Sequence, residues 1–209
     1  IHLGGDIYTM DGTNRPQGES IKRFLRIVAD LTVKPLNELR IVDLGCLEGL
    51  FAIEFARHGA QVVGIEGREI NIEKARFAQN VLGLDNVEFV QDDVRNLTVE
   101  KYGMFDVVLC FGILYHINAP DVFDFLRNCG DTCSRLLLIH SQVSLVQQLS
   151  YTYRGQTYWG RSYAEHLPEM TAEDKKKRLF ASLDNNQSFW FTRPSLINFL
   201  TDTGFTSVF

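Results

Sequence analysis

Long apolar runs are missing from this sequence. The longest, residues 107–115, falls far short of the ~20 residues a membrane helix needs, and no charged-then-apolar leader stands at the start. The expectation is a cytoplasmic protein with no membrane partner. Cysteine is scarce as well. Cys46, Cys110, Cys129 and Cys133 lack paired C-x-x-C spacing, which argues against a zinc site and a disulfide framework and leaves reduced core thiols. Nor is there an excess of positive charge. Against 26 Asp and Glu stand 21 Lys and Arg, and the formal charge of -5 argues against broad electrostatic capture of nucleic acid. Repeats and biased segments are absent, which excludes collagen-like, low-complexity and disordered chains. What remains is an ordinary globular composition over 209 residues, 45% of them hydrophobic, enough for one domain with a real core. The chain opens without Met and closes at Phe209 in what reads as mid-strand, so both ends read as trimmed.

Short apolar runs alternate with helix-period stretches along the chain. Strands are expected at 40–44, 61–66, 87–91, 105–110, 135–140 and 206–209, each apolar through its middle, as strands covered on both faces are. The helices expected between them end at glycines: 48–58 at Gly59, 69–82 at Gly83, 121–129 at Gly130. Earlier comes a helix at about 19–31, and Pro194 opens one at 195–203. The pattern predicts an α/β fold, a mostly parallel Rossmann-like sheet with helices on both faces. Between His140 and Thr192 some fifty residues show no clear strand but many aromatics, with a charged helical piece near 171–183. That length reads as a functional insertion, a cap over the site.

The first strand runs into Asp43-Leu-Gly45-Cys46-Leu47-Glu-Gly49, a carboxylate followed by a turn with two glycines. Glycine lets backbone approach a ligand at the carboxyl edge of such a sheet. Glu66 closes the second strand about 20 residues on, where an acidic side chain can accept both hydroxyls of a ribose. A dinucleotide wants G-x-G-x-x-G. Here Leu47 takes the middle position and Glu48 would repel a diphosphate, so NAD is disfavoured. Asp43 suits a ligand with an ammonium group, and S-adenosylmethionine (SAM) has that group, a ribose and no phosphate. Taken singly, these carboxylates also suit strand ends and helix caps.

Asp43-Leu-Gly45-Cys-Leu-Glu-Gly49, Gly-Ile-Glu66, Phe89-Val-Gln-Asp92-Asp93-Val94 and Phe105-Asp-Val-Val-Leu-Cys-Phe-Gly-Ile-Leu-Tyr-His116 resemble, in order, the motifs of class I SAM-dependent methyltransferases. The resemblance is close over about 39–140. It implies that Asp43 holds the methionine amino group and that Gly45 and Gly49 give it room, with Cys46 and Leu47 in the same loop. It further implies that Glu66, followed by Gly67, grips the ribose, that Asp93 and Val94 meet the adenine with Asp92 beside them, and that Phe111 and Gly112 line the methionine arm. S-adenosylhomocysteine (SAH) would be the product. The chain is then one methyltransferase domain over 1–209: an N-terminal lid and helix (1–38), a SAM-binding core (39–140), an acceptor cap (141–191) and a final helix and strand (192–209).

Methyl transfer is an in-line displacement in which positioning supplies most of the rate, and a base is optional. His116, Tyr115 and His140 are the candidates for that role, and no metal is expected. The acceptor is expected to be a small organic molecule, methylated on oxygen, with Tyr151, Tyr153, Tyr158, Trp159, Arg161, Tyr163 and His166 as candidate lining. Gly112-Ile-Leu-Tyr115-His116 and the stretch 189–205 are also similar to the bacterial wobble-uridine carboxymethyl-tRNA enzymes. That branch implies carboxy-SAM and a tRNA partner, though its basic residues find no match here. A SAM-binding protein without turnover is the third reading.

Overall fold

Two compact units make up the computed structural model, which describes residues 1–4, 7–9 and 18–209. The first comprises Ile1–Val94, Met104–Leu109 and Cys133–Leu138, the second Arg95–Gly103, Cys110–Thr132 and Ile139–Phe209. Residues 5, 6 and 10–17 of the expected N-terminal lid and helix lie outside the described residues.

In chain order the elements are β1 (His2–Gly4), β2 (Ile7–Tyr8), α1 (Gly18–Leu31), β3 (Arg40–Leu44), α2 (Leu50–Arg57), β4 (Gln61–Glu66), α3 (Glu69–Leu82) and β5 (Val87–Gln91). There follow α4 (Val99–Tyr102), β6 (Phe105–Phe111), α5 (Asp121–Thr132), β7 (Cys133–His140), β8 (Leu149–Tyr153), β9 (Gln156–Ala164), α6 (Ala172–Lys177), β10 (Gln187–Phe191) and α7 (Arg193–Asp202).

A sheet in the order β5-β4-β3-β6-β7 forms the first unit's centre, with β3, β4 and β5 parallel. The α/β, Rossmann-like fold is as expected. Ile41, Val42 and Leu44 are buried in succession, which only a strand covered on both faces allows, and α2 covers them with Ala52, Ile53, Phe55 and Ala56. The chain steps outward from β3 to β5, then returns to β6 on the other side. That reversal at β3 marks the crevice where α/β sheets hold ligands, at the strands' carboxyl ends. One ring locks the layers there. A Cβ on Gly49 would stand 2.5 Å from Phe89, and a Cβ on Gly64 2.7 Å from it, so Phe89 fills a notch left by two absent side chains.

The second unit departs from the sequence reading. The stretch expected to lack strands forms the antiparallel sheet β10-β9-β8. Its β8–β9 turn is the two residues Arg154 (φ 50°) and Gly155 (φ 84°), both left-handed, the backbone twist that suits a tight hairpin. Alternation sends Tyr151, Tyr153, Tyr158, Phe189 and Phe191 to one face, around Phe123 of α5 and Phe199 of α7. Gly160 admits the close packing: a Cβ there would lie 2.4 Å from the Trp190 carbonyl oxygen and 2.5 Å from the Phe189 ring. Three boundaries also need correcting. Helix α5 runs through Gly130 to Thr132, α6 is only Ala172–Lys177, held by a Thr171–Asp174 capping box, and 206–209 carries no strand. All four cysteines are free thiols, three of them buried.

Candidate functional site

In the first unit the loop leaving β3 is strapped to β4. The Gly45 and Cys46 amides both donate to the Ile65 carbonyl, at 2.8 and 3.1 Å. Gly45 (φ 65°), Leu47 (φ 50°) and Gly49 (φ 82°) all take the left-handed region, so the path from β3 into α2 is a chain of tight bends. Leu47 holds that conformation against its own Cβ, at a cost of about 1–3 kcal/mol. Its amide is anchored in return: Leu47 N–H donates to Glu66 Oε2 at 3.1 Å, and Arg68 N–H donates to Oε1 at 2.8 Å. Glu66, 3% exposed, is therefore a fixed carboxylate with one amide on each oxygen and capacity on both for another donor.

Asp43 is 2% exposed and, among the described residues, accepts from one amide, Ala52 N–H at 3.2 Å. Burial pushes its carboxyl up to about 7, the Ala52 amide pulls it back, and the charge of Glu66 adds to the rise. A buried carboxylate so thinly compensated fits a cation, and a fixed carboxylate with room on both oxygens fits a diol. These two features match the ammonium and ribose of SAM. Asn71, buried near the start of α3, adds an amide nitrogen Nδ2 with no acceptor among the described residues, and nothing in the sequence singled it out.

The other expected residues of this unit divide. The Asp92 amide donates to the Glu66 carbonyl at 3.1 Å, which brings the turn Asp92-Asp93-Val94 beside the end of β4, and Val94 is buried there. Gly67 sits in the short link whose next amide, that of Arg68, holds Glu66. Gly49 also has a packing reason: the space its missing side chain leaves is taken by Phe89, and its φ is positive. Cys46 is buried, and burial first, then Asp43 and Glu66, keep its thiol protonated.

In the second unit Gly112 donates its amide to the His140 carbonyl at 2.8 Å and has φ 74°, which turns the chain after Phe111 into the segment Leu114–His116. His116 Nδ1 lies 3.0 Å from both oxygens of Glu165. Glu165, 3% exposed, also accepts from Ser188 Oγ (2.9 Å) and the Ser182 amide (3.0 Å). Burial works to raise its pKa, but His116 and these two donors hold it below the usual carboxylate range. Carboxylate on Nδ1 leaves Nε2 as the imidazole's proton acceptor. The Trp190 indole donates to the Tyr115 carbonyl (2.9 Å) and Asn185 to that of His116 (3.2 Å), fixing the segment. Burial, then the charge of Glu165, raise the Tyr115 hydroxyl above its ordinary pKa, so it stays protonated. His140 is exposed and its side chain has no hydrogen-bond partner among the described residues. His166 is buried, its Nε2 2.8 Å from the Ser182 carbonyl oxygen, a structural position. Glu165 was missed because it follows an aromatic run with no motif around it.

The aromatic candidates fall on opposite faces of the antiparallel sheet. Tyr153 and Tyr158 give their hydroxyls to Asp124 (2.6 Å) and Asp202 (2.8 Å) while their rings pack on Phe123, and Tyr151 joins them, so this face glues the unit together. A recess beside them is lined by Arg127, Arg154 and Asp202. Trp159, Arg161 and Tyr163 lie on the other face, with Trp190.

Residues 36–180 match the family described as Methyltransferase domain. Among curated proteins the chain is similar to ubiquinone biosynthesis O-methyltransferases. That of Acinetobacter baylyi is 32% identical over 90 residues, 43% of this chain and 37% of the relative. The Methylocella silvestris protein is 39% identical over 97 residues, 46% of this chain and 36% of the relative. The chain thus spans little more than a third of these relatives' length. Among solved structures, the N-terminal domain of EvdMO1, crystallised in the presence of SAH and D-fucose, gives a TM-score of 0.73 at 27% identity, over 94% of this chain and 76% of that one. Magnesium protoporphyrin IX methyltransferase from Synechocystis, with SAH bound, gives 0.60 at 21% over 96% and 81%, a likeness of fold.

Proposed function

Because this chain belongs to the methyltransferase domain family, we propose that it moves the methyl group of SAM to an oxygen of a small organic acceptor. The observation that carries this is the pair of buried carboxylates, Asp43 and Glu66, at the carboxyl ends of adjacent parallel strands. The ubiquinone O-methyltransferases and the SAH-containing domain of EvdMO1 support the same reading. When bound, the sulfonium supplies an electrophilic methyl: an oxygen lone pair forms the new C–O bond while the C–S bond breaks, its electrons passing to sulfur to leave SAH.

The chain's residues do the rest. Asp43 holds the ammonium and Glu66 accepts from the ribose hydroxyls. The roles that the resemblance gives Asp92, Asp93, Val94, Phe111 and Gly112 belong to this proposal too, as does acceptor selection by residues 141–191. His116 Nε2 takes the acceptor's hydroxyl proton, and Glu165 stabilises the imidazolium that forms, a route that needs no metal.

Calorimetric titration with SAM, SAH, carboxy-SAM and NAD tests the cofactor side. SAM and SAH are expected to bind and NAD not to. A preference for carboxy-SAM, together with a tRNA band shift, would move the protein to the wobble-uridine branch, which residues 112–116 and 189–205 resemble. Binding of SAM with no product from any hydroxylated acceptor would favour the non-catalytic reading. On the acceptor side, His116→Ala is expected to lower kcat by about 100-fold or more with SAH affinity unchanged. Glu165→Gln is expected to lower kcat with SAH affinity kept, because it removes the carboxylate that orients His116 Nδ1 and balances the imidazolium formed on proton transfer.

A further inference from the structure

The face of β9 and β10 turned away from the Phe123 cluster carries an arrangement that packing does not explain. Register places Arg161 opposite Trp190 and Tyr163 opposite Ser188, and Glu165, two residues on, reaches Ser188 and His116. The Arg161 guanidinium lies 4.2 Å from the centre of the Trp190 ring. Trp190 stacks on Tyr163 with centroids 4.5 Å apart and 20° between planes, and meets Tyr115 edge-on at 6.0 Å. Tyr115 in turn touches the His116 ring at 4.3 Å. A continuous row of rings therefore joins Arg161 to the His116–Glu165 pair.

Arg161 is the unfinished end of that row. Among the described residues its buried Nε has no acceptor and its guanidinium no carboxylate partner. Stacking on Trp190 fixes the plane of the guanidinium but satisfies none of its N–H donors. A buried donor left unpaired costs about 1–3 kcal/mol, and the planar fork of arginine matches a carboxylate with two parallel hydrogen bonds. Glu165, further along the same face, is already taken by His116, Ser182 and Ser188.

We propose that this face seats the methyl acceptor, and that the acceptor is a hydroxylated aromatic acid. Its carboxylate pairs with Arg161, its ring lies against the 41%-exposed Tyr163, and its hydroxyl is presented to His116. Glu165 lies four positions beyond Arg161, just past the end of β9, about 13 Å along an extended chain at 3.3 Å per residue, so the two functional groups stand at opposite ends of the acceptor. The seat rests on the reading of His116 as the base.

Fluorescence tests it directly. The chain has two tryptophans, so Trp159→Phe leaves Trp190 as the reporter. Caffeate and its neutral methyl ester serve as probes, titrated into the whole chain. Caffeate is expected to quench saturably with a Kd about tenfold or more below that of the ester, an advantage of the size a charge-assisted bidentate pair gives. Arg161→Gln should erase the difference, Arg161→Lys should keep part of it, and Arg127→Gln, altering the arginine of the opposite recess, should leave it whole. Equal affinities, no saturable response to caffeate, or a difference lost in the Arg127 variant and kept in the Arg161 variants would overturn the seat. SAH calorimetry on the same samples separates the two readings. If SAH binds and caffeate does not, the seat alone falls. Caffeate held at Arg161 in a chain that binds neither SAH nor SAM would sink the methyltransferase reading and leave the seat standing.

Discussion

Asp43 combines near-complete burial with one hydrogen bond among the described residues, and burial pushes its carboxyl up to about 7 from 3.8. Below pH 4 both folded and unfolded chains hold the proton and the group contributes nothing. Between about 4 and 7 the unfolded chain releases it first, so stability falls as pH rises through that window. The loss levels off above 7 at no more than about 4 kcal/mol, at 1.36 kcal/mol per unit. Urea midpoints measured across this range should show the decline, and Asp43→Asn should remove Asp43's part of it. An ammonium ligand needs the carboxylate charged. SAH affinity should therefore weaken by about tenfold per pH unit below 7 and flatten above it, a slope that calorimetry should find missing in Asp43→Asn. Leu47 shows what a sequence can hide at this scale: its φ of 50° is a left-handed conformation that leucine rarely takes, and no composition or spacing reveals it.

Two antiparallel strands cannot approach as closely as β9 and β10 do at every position without one residue giving way. Gly160 is that residue, with a backbone oxygen and a phenyl ring inside the space of a Cβ. Gly160→Ala is expected to cost about 1–3 kcal/mol, the range of overpacked core sites, read as a lower urea midpoint with SAH affinity kept in whatever fraction remains folded. The parallel strands were legible because each is an unbroken apolar run ending at a carboxylate or a turn. The antiparallel ones were not: 149–164 alternates aromatic with polar residues, and the aromatic half of that alternation reads equally well as a pocket lining. The turn Arg154-Gly155 carried the missing signal, but arginine is a poor marker for a left-handed position. Asp43, Glu66 and His116 could be found from motif order. Glu165 and Asn71 could not, since their roles come from what the fold brings beside them.

Charge belongs to the whole molecule. With a formal charge of -5 the chain has no general attraction for a polyanion, and tRNA should run unshifted in a gel at physiological salt while hydroxylated acids compete for Trp190. The two units are not successive lengths of chain, for the backbone enters each of them three times. Residues 1–94 hold β3, β4 and β5 but neither β6 nor β7, the strands that extend the sheet on the far side of β3. A fragment cut there would leave one edge of β3 bare, a row of unpaired amides and carbonyls open to association with other copies. Neither unit can therefore be excised by a single proteolytic nick, and moving one whole unit between relatives would take several crossovers in the chain.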